Sequence, residues 1–221
     1  MILVAVDLFG TLIPLETDHL AHRMLAEAVC RAAGCDPREF EEAYWRAVEV
    51  AGDSSLAVFR SFEELCRARG LRNVFSREEL EYLHAWSHIE AAREMGELPY
   101  ARPFLASLKG RGAIVGVVSD AAPGVPRGIL RALDLDTLVN EVVASGECGF
   151  KKPDPRLLEA LVARVGARPS RVIVVGDSPR DVAMARAFGA ISVALNPVDG
   201  ASYVARNLAE ALRIIIEILE G

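Results

Sequence analysis

Three aspartates and one lysine of this sequence have the residue types expected of a metal-assisted reaction centre. Asp7 follows the apolar run ILVAV, and Asp177 and Asp181 follow the run RVIVV in the segment GDSPRD. If these carboxylates meet at one edge of a sheet, their mutual repulsion requires a cation, and oxygen ligands favour a hard ion such as Mg²⁺. Lys152, in the segment KKPDP, supplies a second positive charge. A carboxylate nucleophile, Mg²⁺ and a lysine together suit phosphoryl transfer.

The elements that must position these residues alternate between strand-like and helical patterns. Apolar runs predict five strands, at 2–6, 113–119, 141–145, 171–175 and 190–195. Helical periodicity predicts core helices at 102–110, 123–133, 154–165, 179–188 and 204–220. The runs are continuous rather than alternating, which is typical of strands covered on both faces. The pattern predicts an α/β fold with a doubly wound, mostly parallel, Rossmann-like sheet, whose working groups lie past the carboxyl ends of the strands.

One region interrupts this alternation. Residues 15–96 contain no strand-like run, and their periodicity predicts four helices, at 17–33, 36–51, 54–69 and 76–95. The pairs Asp36-Pro37 and Ser76 with Glu79 are helix-start signatures. We therefore predict an all-helical cap domain at 15–96, inserted into an α/β core formed by 1–14 and 97–221.

The composition limits the classes of protein that this chain can belong to. Of its 221 residues, 52% are hydrophobic and 25% are charged, with a formal net charge of -6. This composition excludes a disordered chain, and the acidic balance argues against nucleic acid as a partner. The first apolar run has no basic leader and the last one falls short of the about 20 residues of a membrane span, so we expect a cytoplasmic protein with no membrane partner. The apolar pattern of the final helix indicates core packing or a dimer contact, so we expect a monomer or a homodimer. The sequence has many arginines and no glutamine, which favours a thermophilic source.

The cysteines and histidines carry weaker signals. The four cysteines form no CxxC pair, which predicts free, buried thiols in a reducing compartment, with a Cys30–Cys35 disulfide as the alternative. His84 and His88 have a spacing able to hold zinc, but no third ligand is evident, so we interpret them as an ordinary pair on a polar helix face. His19 and His22 are interpreted as helix-surface residues, with contact to a substrate as the alternative.

Four segments, in this order along the chain, resemble the motifs of the haloacid dehalogenase superfamily of hydrolases. They are VAVDLFGTL, GVVSD, GFKKPDP and VIVVGDSPRD. The helical block between the first two segments resembles the inserted cap of that family. The resemblance spans essentially the whole chain, and it implies a hydrolase with a capped Rossmann-like core.

The resemblance also implies roles for the matching residues. Asp7 would attack the electrophile and form an aspartyl intermediate, while Lys152 would neutralise negative charge on the nucleophile and the substrate. Ser119 and Thr11 would hydrogen-bond the transferring group or orient the nucleophile.

The same resemblance implies a set of metal ligands. Mg²⁺ would be held by the Asp7 carboxylate, the Phe9 carbonyl and Asp177, with Asp181 nearby. We expect a small anionic substrate to contact Ser119, Asp120 and Lys152, and, in the cap, the cationic Arg23 and Arg46.

The sequence departs from the phosphatase pattern at Phe9, where those phosphatases carry an acid–base aspartate. The same position is aromatic in the metal-independent 2-haloacid dehalogenases, whose halide-binding arginine resembles Arg46 in the segment YWR. That branch, however, has asparagine at the position of Asp120 and lacks the metal-type acid retained here as Asp177. We therefore predict a Mg²⁺-dependent phosphatase of a small metabolite, with a 2-haloacid dehalogenase and a non-catalytic binding protein as alternatives.

Overall fold

The computed structural model describes residues 1–51, 54–166 and 168–220. Within these residues, six strands form one parallel sheet in the order β3-β2-β1-β4-β5-β6. The strands are β1 (Ile2–Val6), β2 (Ile114–Ser119), β3 (Glu141–Ala144), β4 (Arg171–Gly176), β5 (Ile191–Ala194) and β6 (Tyr203–Val204). This arrangement confirms the predicted α/β fold with a parallel, doubly wound sheet.

Helices cover both faces of the sheet, and this is why its central strands are apolar throughout. Along β1, Val4 and Val6 pack into one buried cluster, whereas Leu3 and Ala5 pack into another on the opposite face. The helices of the α/β part are α5 (Ala101–Gly110), α6 (Val125–Ala132), α7 (Ser145–Cys148), α8 (Arg156–Val165), α9 (Pro179–Phe188) and α10 (Leu208–Glu220).

The predicted elements differ from the structure at two short elements and at the start of the last helix. The short edge strand β6 and the one-turn helix α7 were not predicted. The last helix begins at Leu208 rather than at residue 204, because the Asn207 side chain accepts a hydrogen bond from the Glu210 backbone N–H at 3.0 Å and so caps the helix there.

Four consecutive helices lie between β1 and α5. They are α1 (Glu16–Ala33), α2 (Pro37–Ala51), α3 (Ser54–Arg69) and α4 (Arg77–Met95). Ser76 and Glu79 form the predicted capping box at the start of α4. These helices share an apolar cluster of their own, which includes Leu25, Phe40 and Phe62. The division of the chain into a core and a cap at 14/15 and 96/97 stays a prediction.

The cysteines correct one expectation from the sequence. Cys30 and Cys35 form a disulfide, while Cys66 and Cys148 are free. Helix α1 ends at Gly34 in the left-handed conformation, with φ of 75°, so the chain turns back and places the two cysteine Cα atoms 4.5 Å apart. The argument for a reducing compartment, which assumed four free thiols, loses this support. None of the described helices is both long enough and apolar enough to cross a membrane.

Candidate active site

The parallel register brings the carboxyl ends of three strands to one edge of the sheet. Val6 of β1 pairs with Val117 of β2 and with Val175 of β4. Asp7 follows β1 directly, and its backbone N–H donates to the Val175 carbonyl at 2.9 Å. The chemistry-bearing residues that follow β1, β2 and β4 are therefore neighbours in space, as the sequence predicts.

Three carboxylates lie together at this edge, and two of them pair with one buried ammonium group. One oxygen from each of Asp7, Asp177 and Asp181 lies within 4.8 Å of the others. Lys152, which is 4% exposed, forms ion pairs with Asp7 and, at 2.7 Å, with Asp181. The backbone N–H and the hydroxyl of Ser178 donate to the other oxygen of Asp181, as part of the capping box of α9. Asp181 is thus held on both oxygens, and it in turn holds Lys152 beside Asp7.

The charges of this cluster do not balance among its own residues. The pKa of Asp7 is raised to about 7, mainly by burial and also by the nearby charge of Asp181, although Lys152 opposes the rise. Burial and then Asp181 raise the pKa of Asp177 as well. Burial lowers the pKa of Lys152, but Asp7 and Asp181 together outweigh it and raise that pKa overall. Three carboxylates against one ammonium group favour a further cation, and an all-oxygen donor set fits Mg²⁺.

Two hydroxyl groups lie at the same edge. The Thr11 hydroxyl donates to Asp7 Oδ2 at 3.5 Å, a long contact that orients the carboxylate. The Ser119 hydroxyl is buried and has no hydrogen-bond partner among the described residues. A buried polar atom without a partner is uncommon in proteins. The Ser119 hydroxyl is therefore available to donate a hydrogen bond to a bound group.

Asp120 holds in place the loop that carries Lys152, called here the lysine loop. Its Oδ1 accepts from the Lys152 backbone N–H at 3.0 Å, and its Oδ2 accepts from Arg180 Nη1 at 3.0 Å. Arg180 is not among the predicted site residues, although it lies in the GDSPRD segment between Asp177 and Asp181. The Arg180 charge offsets that of Asp120, which reduces the repulsion that Asp120 alone would exert on an anionic substrate.

A cavity of about 510 Å³ opens between this edge and the helices α1, α2 and α4. Phe9 lies in its wall, and the core side also contributes Asp120, Lys151 and Arg180. Arg23 and Arg46 are both exposed and, in the described part of the chain, neither lines this cavity. Arg46 lies instead in a shallow surface cleft with Glu39, Glu42 and Glu64. The positions of Arg23 and Arg46 therefore do not support the prediction that they contact the substrate.

The histidines of α1 and α4 correct a second expectation. His84 and His88 are 2% and 3% exposed, not on a polar surface, and His22 joins them in the cavity wall at 3% exposure. Burial lowers the pKa of His22 to about 4 and that of His84 well below its usual value. The His88 ring lies edge-on to Phe9, with 6.1 Å between ring centroids. His19, in contrast, is exposed as predicted.

The parallel sheet, the strand-end carboxylates and the buried lysine together define a hydrolase of the haloacid dehalogenase type. Residues 2–189 match the sequence model of the haloacid dehalogenase-like hydrolases, and the chain belongs to this family.

Two kinds of enzyme are among the relatives of this chain. The chain is 32% identical over 164 residues to a phosphoserine phosphatase of Thermus thermophilus, a match covering 69% of this chain and 62% of that protein. It is 31% identical over 111 residues to (S)-2-haloacid dehalogenase 1 of Pseudomonas sp. strain CBS-3, covering 50% of this chain and 49% of that one. The matches thus span less than two thirds of these relatives.

The fold also resembles that of solved structures. The crystal structure of an HAD phosphatase from Thermococcus onnurineus superimposes with a TM-score of 0.72 at 23% identity, covering 97% of this chain and 98% of that chain. The likeness at this identity shows the shared fold.

Proposed function

We propose that this hydrolase is a Mg²⁺-dependent phosphatase that acts on a small phosphorylated molecule through an aspartyl-phosphate intermediate. The observation that carries the proposal is the cluster of Asp7, Asp177 and Asp181, whose three carboxylates face the single buried cation of Lys152, paired with two of them. A metal-independent enzyme has no need of the Asp177 carboxylate beside the nucleophile, because that charge raises the pKa of Asp7 and adds repulsion.

In the first step, an oxygen of Asp7 attacks the phosphorus of the ester. A bond forms between that oxygen and phosphorus, the phosphorus–oxygen bond to the leaving group breaks, and the leaving alkoxide takes a proton from water. Lys152 keeps Asp7 oriented and offsets negative charge, while the unpaired Ser119 hydroxyl donates to a phosphoryl oxygen. In the second step, water attacks the phosphorus, phosphate leaves, and Asp7 is restored as a carboxylate.

Mg²⁺, held by Asp7, the Phe9 carbonyl and Asp177, with Asp181 nearby, would supply charge neutralisation for the transferring phosphoryl group. Phe9 has no proton to transfer, so both steps rely on water for acid–base chemistry. Loss of a positioned acid or base typically costs about 10²–10⁴-fold in rate, and we expect a low turnover number.

The cavity supports a small anionic substrate. Its volume of about 510 Å³ falls within the range of about 300–1,000 Å³ that is usual for small-molecule sites. The exposed Lys151 and the Arg180 guanidinium line it on the core side, where they favour an anion. We further propose that α1–α4 act as the cap, since Tyr44, Trp45 and the three histidines form the opposite wall.

The test is phosphate release from an aryl phosphate and from a panel of phosphorylated metabolites, with Mg²⁺ or with a chelator. We expect release only with Mg²⁺, and its abolition in Asp7→Asn. Asp177→Asn should raise the Mg²⁺ concentration needed for activity, and Asp199→Asn is the matched control, because Asp199 is exposed and does not line the cavity. Turnover that persists in the chelator would contradict the proposal.

A second candidate function is 2-haloacid dehalogenation, which the aromatic Phe9 and the pairing of Asp120 with Arg180 favour. In that reaction, Asp7 attacks the carbon that bears the halogen and halide leaves without protonation. Water then hydrolyses the ester formed on Asp7. Chloride release from a 2-chloro acid in the presence of chelator would establish this function in place of the first.

A further inference from the structure

A second cluster of potential ligands lies in the cavity wall formed by the helices. It consists of His22 on α1 and of His84 and His88, one turn apart, on α4. One ring nitrogen from each of the three lies within 4.8 Å of the others. All three side chains are at least nine-tenths buried. The cluster shares no residue with the carboxylates around Lys152.

Backbone hydrogen bonds fix which nitrogen of two of these rings carries the proton. His22 Nδ1 lies 2.8 Å from the Asp18 carbonyl, and His88 Nδ1 lies 2.8 Å from the His84 carbonyl. Because a carbonyl oxygen only accepts, Nδ1 donates in both cases, and the neutral rings carry their lone pair on Nε2. Metal-binding histidines have this same arrangement, in which the second ring N–H donates to a backbone carbonyl or a carboxylate.

The remaining nitrogens lack the partners that buried polar atoms normally have. His22 Nε2 and His84 Nε2 are buried without a hydrogen-bond partner anywhere in the part of the chain that the structure describes. Burial of an unpaired ring nitrogen is unfavourable, and at His22 the unpaired Nε2 carries a lone pair. With His84 Nε2 unpaired beside it, the cluster is suited to a bound cation.

Asp18 adds a negative charge to the same cluster. Its Oδ1 lies 3.1 Å from His88 Nε2, and its Oδ2 lies 3.7 Å from His22 Nδ1. With Nδ1 of His88 donating to a carbonyl, a neutral His88 ring turns a lone pair toward the Asp18 carboxylate. Two acceptors in contact require a cation or a proton near them, and a metal ion bound by His88 Nε2 would resolve the conflict.

We propose that His22, His84 and His88 form a binding site for a divalent transition metal such as Zn²⁺, with the Asp18 carboxylate beside His88. Imidazole nitrogen suits Zn²⁺ and its neighbours in the first transition row, whereas Mg²⁺ takes oxygen ligands. Nitrogens around a tetrahedral Zn²⁺ lie about 3.3 Å apart, given a Zn–N distance of about 2.0–2.1 Å. The ring nitrogens thus need to approach one another by at most about 1.5 Å.

Such an ion would tie α1 to α4 beside Phe9, at the wall that faces the carboxylates. The stacked Tyr44 ring already holds the His22 ring in place, with 4.1 Å between their centroids. The site would therefore stabilise the helical side of the cavity. This inference does not depend on the proposed phosphatase activity.

The test is metal binding by the full chain without a histidine tag. Protein freed of metal with a chelator is titrated with Co²⁺, whose visible absorption reports tetrahedral coordination by nitrogen, and then with Zn²⁺ in competition. We expect one equivalent of Co²⁺ displaced by one of Zn²⁺, together with a Zn²⁺-dependent rise in Tm. His84→Leu should weaken Zn²⁺ binding by at least about 100-fold. His19→Ala, which removes the one histidine outside the cluster, should bind as the unmodified chain does.

Two further variants keep the outcome unambiguous. His22→Phe preserves the ring stack on Tyr44 and should lose Co²⁺ binding even if His84→Leu does not fold. Asp177→Asn alters the carboxylate cluster and should retain the full Co²⁺ spectrum, whether or not it is active on phosphate esters. A chain that binds no Co²⁺ with tetrahedral absorption, or a spectrum that survives both histidine substitutions, would overturn the proposal.

Discussion

Gly10 and Asp177 approach each other so closely that no side chain fits between them. A Cβ atom built on Gly10 would lie 2.4 Å from Asp177 Oδ2, well inside contact distance. Gly10 also has φ of 80°, a left-handed conformation that other residues rarely adopt. The turn after β1 therefore sets the distance between the nucleophile and the acid that follows β4.

Gly10→Ala is expected to damage both the turn and the carboxylate cluster. The strained φ should lower the free energy of unfolding by about 1–3 kcal/mol. The new methyl group should displace the Asp177 carboxylate and raise the Mg²⁺ concentration needed for half-maximal activity by at least about tenfold, close to 1.4 kcal/mol. The control is Gly112→Ala, because Gly112 has φ of 76° but its Cβ would meet nothing within 4 Å. If both variants show the same Mg²⁺ dependence, the close approach of position 10 to Asp177 does not set the affinity of the site for Mg²⁺.

Lys152→Met should leave the buried carboxylates without their cation. Removal of one partner of a buried ion pair typically costs about 3–5 kcal/mol, and here Asp7 and Asp181 both lose it. Urea unfolding in chelator should show a loss of that size at pH 7, and Mg²⁺ should recover part of it. Lys151→Met is the matched control, because Lys151 is exposed and should lose less than about 1 kcal/mol. Equal losses in the two variants would show that the buried pairs contribute no more than a surface charge.

Two substitutions of Asp120 distinguish the effects of its contacts with Lys152 and with Arg180 on activity. Asp120→Asn keeps an oxygen that accepts from the Lys152 backbone but loses the charge that faces Arg180, whereas Asp120→Ala removes both contacts. We expect kcat/KM for phosphate release to fall by less than about tenfold in Asp120→Asn and by more than about tenfold in Asp120→Ala. Equal losses in the two variants would assign the effect to the Arg180 pair rather than to the position of the lysine loop.

The carboxylate cluster could be predicted from the sequence because its signals are local. Asp7 and Asp177 each stand at or just past the end of a continuous apolar run, and parallel strands bring such ends together. The histidine cluster has no such signal, since His22 and His84 meet only through the packing of α1 against α4. Arg23 follows His22 directly but points away from the cavity, because one helical residue rotates the side chain by about 100°. Which residues of the helices face the cavity depends on that rotation, which the periodicity alone left undetermined.

The burial of His22 should make the stability of the metal-free protein depend on pH. Burial lowers the pKa of His22 to about 4, below the ordinary value of 6.5 that applies when the chain is unfolded. Protons then bind the unfolded state more strongly, so stability is full above pH 6.5 and decreases as the pH falls toward 4. The loss attributable to this ring should approach about 3 kcal/mol. Urea unfolding in chelator between pH 7.5 and 4 should show a shallower decline for His22→Phe than for the unmodified chain. His19→Ala controls for the loss of a histidine from the same helix. If the free energy of unfolding falls equally with pH in His22→Phe and in the unmodified chain, His22 is not the source of the pH dependence.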